Sequence, residues 1–258
     1  MQTRNVPALG ARYWVSISLA SVFGANMGDF VSHVLGLGHY RGLAPLAVVF
    51  IVILLLERRA RRATEAYYWL AIVTVRTAAT NLADLGTHDL RLGYAGVLAG
   101  LAALLALTLL ADRWRGAPAS DDLARAAPAG LPTTDALYWT AMLIAGTLGT
   151  AAGDCAADAL GLGASSIATV VLLGVALALS TRGALKTKAG YWTTIVIVRT
   201  AGTNVGDYVV GRHGLGLGLP LGTPLTGLLM VAALLLWKKP APPAVQPTAH
   251  ATRPAGAA

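Results

Sequence analysis

The chain has 258 residues, 55% of them hydrophobic and 12% charged, with a mean hydropathy of +0.61 and a formal net charge of +8. That balance excludes an ordinary soluble domain, in which about a quarter of the residues are charged. The basic excess falls in short segments between apolar runs, which argues against nucleic acid as a partner and for a chain embedded in a lipid bilayer.

In chain order the apolar runs are 14–35, 43–56, 69–85, 94–111, 139–160, 167–180, 192–210 and 221–237. A helix needs about 20 residues to cross the hydrocarbon core. The second and sixth runs reach that length only with their flanks. Backbone in lipid must satisfy its own hydrogen bonds, and barrel-like alternation is absent, so the sequence predicts an all-α integral membrane protein of about eight transmembrane helices. The first run contains Asn26, Asp29 and His33 and is expected to be a structural span rather than a cleavable signal peptide. Cys155 is the only cysteine, which excludes an intramolecular disulfide and fits a small buried apolar side chain.

Fifteen of the twenty Lys and Arg residues fall on one side if the spans alternate: Arg4, Arg12, Arg58, Arg59, Arg61, Arg62, Arg113, Arg115, Arg125, Arg182, Lys186, Lys188, Lys238, Lys239 and Arg253. The other side holds Arg41, Arg91 and Arg212. The positive-inside rule then puts both termini in the cytoplasm.

A Tyr-Trp pair occurs four times, and an Asp follows each Trp by fifteen residues: Trp14 to Asp29, Trp69 to Asp84, Trp139 to Asp154 and Trp192 to Asp207. Ten and fourteen residues after each Trp stand small residues, namely Gly24 and Gly28, Ala79 and Ala83, Gly149 and Gly153, and Gly202 and Gly206. Small-xxx-small spacing lets helix backbones approach closely. A glycine at position twenty-four, Gly38, Gly93, Gly163 or Gly216, is expected to end each crossing. The Tyr and Trp rings are expected to anchor the cytoplasmic interface.

The fold expected is therefore four parallel helical-hairpin repeats in two tandem halves. Residues 1–115 form the first half, 116–135 a cytoplasmic linker, 136–239 the second half and 240–258 a disordered tail. Parallel repeats bring equivalent residues to equal depth, so the four Asp residues are expected about 22 Å from their Trp partners.

Positions i, i+4, i+7 and i+11 share a helix face. Such stripes contain Asn26, Asp29 and His33; Thr77, Asn81, Asp84 and His88; Thr147, Asp154 and Asp158; and Thr200, Asn204 and Asp207. Oxygen and imidazole ligands converging from several helices suit a divalent cation. The metal candidates are Asp29, His33, Asp84, His88, Asp154, Asp158 and Asp207, with Asn26, Asn81 and Asn204 completing or tuning the site. Arg76 and Arg199 lie about 12 Å nearer the cytoplasm than their Asp residues. A charge at the bilayer centre costs at least about 2.5 kcal/mol, so both are expected to have anionic partners. His39 and His213 read as loop residues, and Thr77, Thr80, Thr200 and Thr203 as bonded to their own helices.

The Tyr-Trp starts, the segment Arg199-Thr200-Ala201-Gly202-Thr203-Asn204-Val205-Gly206-Asp207 and the Gly153-Asp154-x3-Asp158 segment resemble a bacterial family of multi-pass proteins labelled only "membrane-anchored protein". The resemblance implies a bacterial inner-membrane location and brings no activity with it. The residues themselves point to a secondary transporter or exporter of a small cation, a divalent metal, a proton or both. The alternative is a non-transporting scaffold or partner subunit with structural Asp/Arg ion pairs. No pattern supports an enzyme or a bound cofactor; a metal ion enters as substrate. The expected partners are the lipid bilayer and the cation or proton, with room for a homo-oligomer.

Overall fold

The computed structural model describes residues 6–61, 64–115, 132–181 and 187–237. Its described residues form eight α-helices: α1 (Ala11–Asp29), α2 (Gly38–Arg59), α3 (Glu65–Asp84), α4 (Gly93–Trp114), α5 (Ala136–Leu160), α6 (Leu162–Thr181), α7 (Lys188–Val210) and α8 (Gly218–Leu236). Helices α1 and α3 each continue through one π-helical turn, Phe30–Val34 and Leu85–Asp89. Most of the proposed linker and all of 240–258 lie outside the described residues, as does His250.

Local chemistry sets the helix starts. The Asp135 side chain accepts from Tyr138 N–H at 3.0 Å, and Thr187 Oγ1 accepts from Gly190 N–H at 3.0 Å, each satisfying an otherwise orphaned donor of the first turn. Between the members of each helix pair the chain turns through left-handed backbone. Gly38, Gly93 and Gly216 have φ of +66°, +70° and +67°, as their shared register predicts. Unit three departs from the expectation: Gly161 takes the left-handed position at φ +80°, and Gly163 lies inside α6. Arg91, which falls in the register of Gly161, holds φ +52° despite its side chain.

The odd-numbered helices close a square, with α1 against α3, α3 against α5, α5 against α7 and α7 against α1. The small residues at positions ten and fourteen make those seams. A methyl added at Gly24 would stand 2.5 Å from Arg76 Cγ, and one at Gly28 2.6 Å from Thr80 Cβ. Gly149 and Gly153 meet Arg199 and Thr203 in the same way, while Gly202 and Gly206 meet Ser21 and Asn26. Position ten of each inner helix thus lies against position seven of the next, Gly24 on Arg76, Ala79 on Gly146, Gly149 on Arg199 and, closing the square, Gly202 on Ser21.

The even-numbered helices do not pack as simple hairpins. Helix α2 lies on α3, α4 on α5, α6 on α7, and α8 back on α1, so each return helix covers the next unit's inner helix and the cover closes on itself. Among the described residues these outer four are the helices long and apolar enough to cross a membrane; α2 and α6, the shortest apolar runs, are among them. Only 17% to 22% of each is buried, so their Leu and Val side chains face outward, as Ile51, Leu107, Ile167 and Leu228 do. The inner four helices carry the Asp and Arg residues of the repeat.

Candidate functional site

The position before each Trp is a fully buried tyrosine. Tyr13, Tyr68, Tyr138 and Tyr191 join hydroxyl to hydroxyl in a closed ring, with O···O distances of 3.1 Å (13 to 68), 2.6 Å (68 to 138), 3.0 Å (138 to 191) and 2.6 Å (191 to 13). Each hydroxyl can donate once and accept once, so the ring satisfies itself with no outside partner. The four Trp rings stand edge-on to their own tyrosines at 5.2 to 5.3 Å and are 3% to 5% exposed. The aromatic pairs are therefore a plug across the bundle axis, not the interfacial anchors expected from their amphipathic character. Fourfold repetition aims them all inward, and the phenol's polarity is met by its copies.

Above the plug lie the two arginines, both with no exposed surface. Arg76 reaches toward position eleven. Its Nε donates to Ser21 Oγ at 3.2 Å, Nη1 to Thr80 Oγ1 at 2.8 Å and to Thr150 Oγ1 at 2.6 Å, and Nη2 to Thr203 Oγ1 at 2.7 Å. Every inner helix supplies one hydroxyl. Thr80 and Thr203 donate in turn to Arg76 O and Arg199 O, so the own-helix bonds expected of them exist and leave lone pairs for the guanidinium. Arg199 reaches the other way, with Nη2 3.2 Å from Met142 Sδ, one turn from Tyr138. Among the described residues its Nε and Nη1 have no hydrogen-bond partner.

Among the described residues neither guanidinium has a carboxylate within 4.0 Å; the ion pairs present are Arg12 with Glu65, Lys188 with Asp112, and the histidine contacts below. The expected anionic partners are thus replaced by hydroxyls for Arg76 and by none for Arg199. The sequence explains the asymmetry. The pseudo-twofold counterparts of Ser21 and Thr150 are Gly146 and Ala25, so a second cradle would lack two of its four hydroxyls and share the others.

At the far end one cavity of about 590 Å³ gathers all four repeat aspartates, Asp29, Asp84, Asp154 and Asp207, together with His33, His88 and Asp158. The four are half-buried and close enough to repel one another, and Arg76 is the cation they share. The halves differ. On the α1/α3 side His39 Nδ1 is 3.0 Å from Asp89 Oδ2 and Nε2 is 3.8 Å from Asp84 Oδ2. His88 Nδ1 lies 3.8 Å from Asp84 Oδ1, and the His33 ring meets His39 edge-on at 5.4 Å. On the α5 side stand Asp154, Asp158 and Tyr94. Among the described residues no group of three or more His, Cys, Asp or Glu converges on a metal-holding geometry.

The sequence reading missed His39 and Tyr94 at this site. Each directly follows the position-twenty-four glycine of its unit, where a helix-stripe argument does not look, because both open the return helix rather than extend the inner one. Asn26, Asn81 and Asn204 do not line the pocket. They are fully buried at seams between helices: Asn81 Oδ1 accepts from Ser32 at 2.8 Å, Asn204 Nδ2 donates to Thr169 at 3.4 Å, and the Asn26 side chain has no partner.

Residues 12–63 and 190–241 each match the Repeat of Unknown Function (DUF347). These are the first and last of the four units, each an inner helix with its return helix, so the chain carries an uncharacterised repeat at least twice. No curated protein and no solved structure matches the chain.

Proposed function

We propose that this protein is an eight-span membrane transporter that exchanges a divalent cation for protons through the pocket of Asp29, Asp84, Asp154 and Asp207. The outer helices face lipid, the inner square is shielded from it, and the tyrosine plug closes the cytoplasmic end. Arg12, Arg58, Arg59, Arg61, Arg113, Arg115 and Lys188 all lie near the plug's end of their helices, which supports that orientation under the positive-inside rule. Both termini are then cytoplasmic, and the pocket opens to the outer side of a bacterial inner membrane.

The observation that carries the reading is the charge inventory of the bundle interior. The four half-buried repeat carboxylates that line one cavity outnumber the two fully buried guanidiniums by two, while the fifth carboxylate there, Asp158, is exposed to solvent. One divalent cation or two protons restores neutrality, and either form avoids the several kcal/mol that an unbalanced buried charge costs. A channel for cations along the axis is disfavoured, because Arg76, Arg199 and the tyrosine ring block it in series. The scaffold alternative rested on Asp/Arg ion pairs, and the arginines have no such contacts among the described residues.

Flux of Mn²⁺, Zn²⁺, Mg²⁺ and H⁺ into proteoliposomes tests this directly. The wild type is expected to move at least one divalent ion against protons, with a rate unchanged by an imposed membrane potential. A monodisperse variant carrying Asp→Asn at all four positions is expected to move none. Wild-type protein that carries no ion, or a variant that transports as well as wild type, would sink the proposal.

A further inference from the structure

A second cavity of about 540 Å³ lies outside the inner square, where α2 leans over α3 and the start of α5. Leu43, Phe50 and Leu54 form one wall, Val75 and Ala78 another, and Leu143 the third. The two threonine hydroxyls on its surface are turned back into their own helices, Thr74 to Leu70 O at 2.8 Å and Thr140 to Ala136 O at 2.9 Å, so the walls are apolar in effect. The span from Leu43 to Leu54 is about 17 Å at 1.5 Å per residue, close to half of a hydrocarbon core about 30 Å thick. The groove is centred on α2, whose 22 residues run from Gly38 to Arg59, and it ends one turn short of the helix's arginines.

One turn beyond Leu54, α2 ends in the exposed Arg58 and Arg59, followed by the exposed Arg61. An apolar slot about 17 Å long that ends one turn short of three exposed arginines matches the chemistry of one kind of molecule. We propose that the groove holds one acyl chain of an anionic phospholipid, with its phosphate at Arg58, Arg59 and Arg61. This rests on the membrane reading above. The lipid would fill the gap between α2 and α3 behind Arg76 and Asp84 and so brace the helix that carries both. A hydrated or soluble anion has no use for the apolar slot, and a helix from another protein would have to seat against an arginine cluster of its own leaflet.

The test uses the full-length protein purified in detergent, with phosphatidylglycerol and phosphatidylcholine as probes and native mass spectrometry and thermal unfolding as readouts. Phosphatidylglycerol is expected to remain bound at about one molecule per protein and to raise Tm. Ala78→Trp, which fills the slot, is expected to abolish the retained lipid while leaving divalent flux measurable. Arg58→Gln with Arg59→Gln is expected to keep a chain in the slot but lower the preference for phosphatidylglycerol about 25-fold, because each basic side chain near a membrane surface contributes about fivefold, or about 1 kcal/mol. Equal retention by Ala78→Trp and wild type, equal retention of the two lipids by wild type, or a second copy of the chain seated in place of lipid would each overturn the proposal. Protein recovered in the soluble fraction without detergent would instead overturn the membrane reading on which it rests.

Discussion

The two ends of the inner bundle are built by the same four helices at the same repeat spacing, yet one is sealed and the other open. At position minus one the repeated group is a phenol, both donor and acceptor, and four copies close a ring that needs nothing else. At position fifteen the repeated group is a carboxylate, which only accepts, and four copies repel. Symmetric repetition therefore makes a plug from a self-complementary group and a carboxylate-lined cavity from a like-charged one. Between them Arg76 serves the carboxylate end and Arg199 faces the tyrosine end, and the same side chain makes four hydrogen bonds in one place and one, to sulfur, in the other.

Substituting the arginines breaks this comparison most strongly. Arg76→Met is expected to destabilise by about 3 to 5 kcal/mol, because it removes the charged donor from four buried hydroxyls together with the cation nearest the pocket. Arg199→Met is expected to be neutral or stabilising by about 1 to 4 kcal/mol, since it replaces a buried charge whose Nε and Nη1 have no partner. Thermal unfolding of the two variants in one detergent measures both, and equal losses would mean that Arg199 is as well satisfied as Arg76.

A smaller loss should follow from thinning the cradle. Thr150→Val removes one of the four hydroxyls on Arg76 and is expected to cost about 1.5 to 3 kcal/mol, the range for a hydrogen bond to a charged group. Ser18→Ala, which removes only a bond from Ser18 Oγ to Trp14 O on its own helix, is expected to stay within about 0.5 kcal/mol.

The tyrosine ring should respond non-additively. Tyr13→Phe opens the ring and leaves its neighbours short of one bond each, for an expected cost of about 1 to 3 kcal/mol. Replacing all four by Phe removes every stranded partner and is expected to cost less than four times that amount, which a multiple-mutant cycle in Tm detects. Additive losses would show that the hydroxyls act independently.

The smallest effect sits at the carboxylate end, in the turn between α3 and α4. Arg91 holds left-handed backbone where unit three has Gly161, and Arg91→Gly is expected to stabilise by about 1 kcal/mol with flux unchanged. A loss of flux in that variant would give the Arg91 side chain a role at the pocket mouth.

The repeat was legible in the sequence because its period is carried by residue types with no substitute at those positions: glycine or alanine where backbones touch, Asp where the pocket forms, Gly or its stand-in where the chain turns left-handed. Those spacings determined the helices, their common direction and the equal depth of Asp29, Asp84, Asp154 and Asp207. They could not show where each side chain points around the bundle, and three features turned on that. Tyr and Trp were legible as a pair but not as a buried plug, because amphipathic rings suit either a lipid interface or a core. Arg76 and Arg199 were legible as equivalent, but their different partners depend on hydroxyls from four separate helices. His39 and Tyr94 entered the pocket from return helices, and each return helix packs mainly on the next unit's inner helix. Sequence spacing determines which residues share a level and a face within one helix; only the closed packing of four helices decides which faces meet, because a buried polar group takes its partner from whichever neighbour the seams bring within reach.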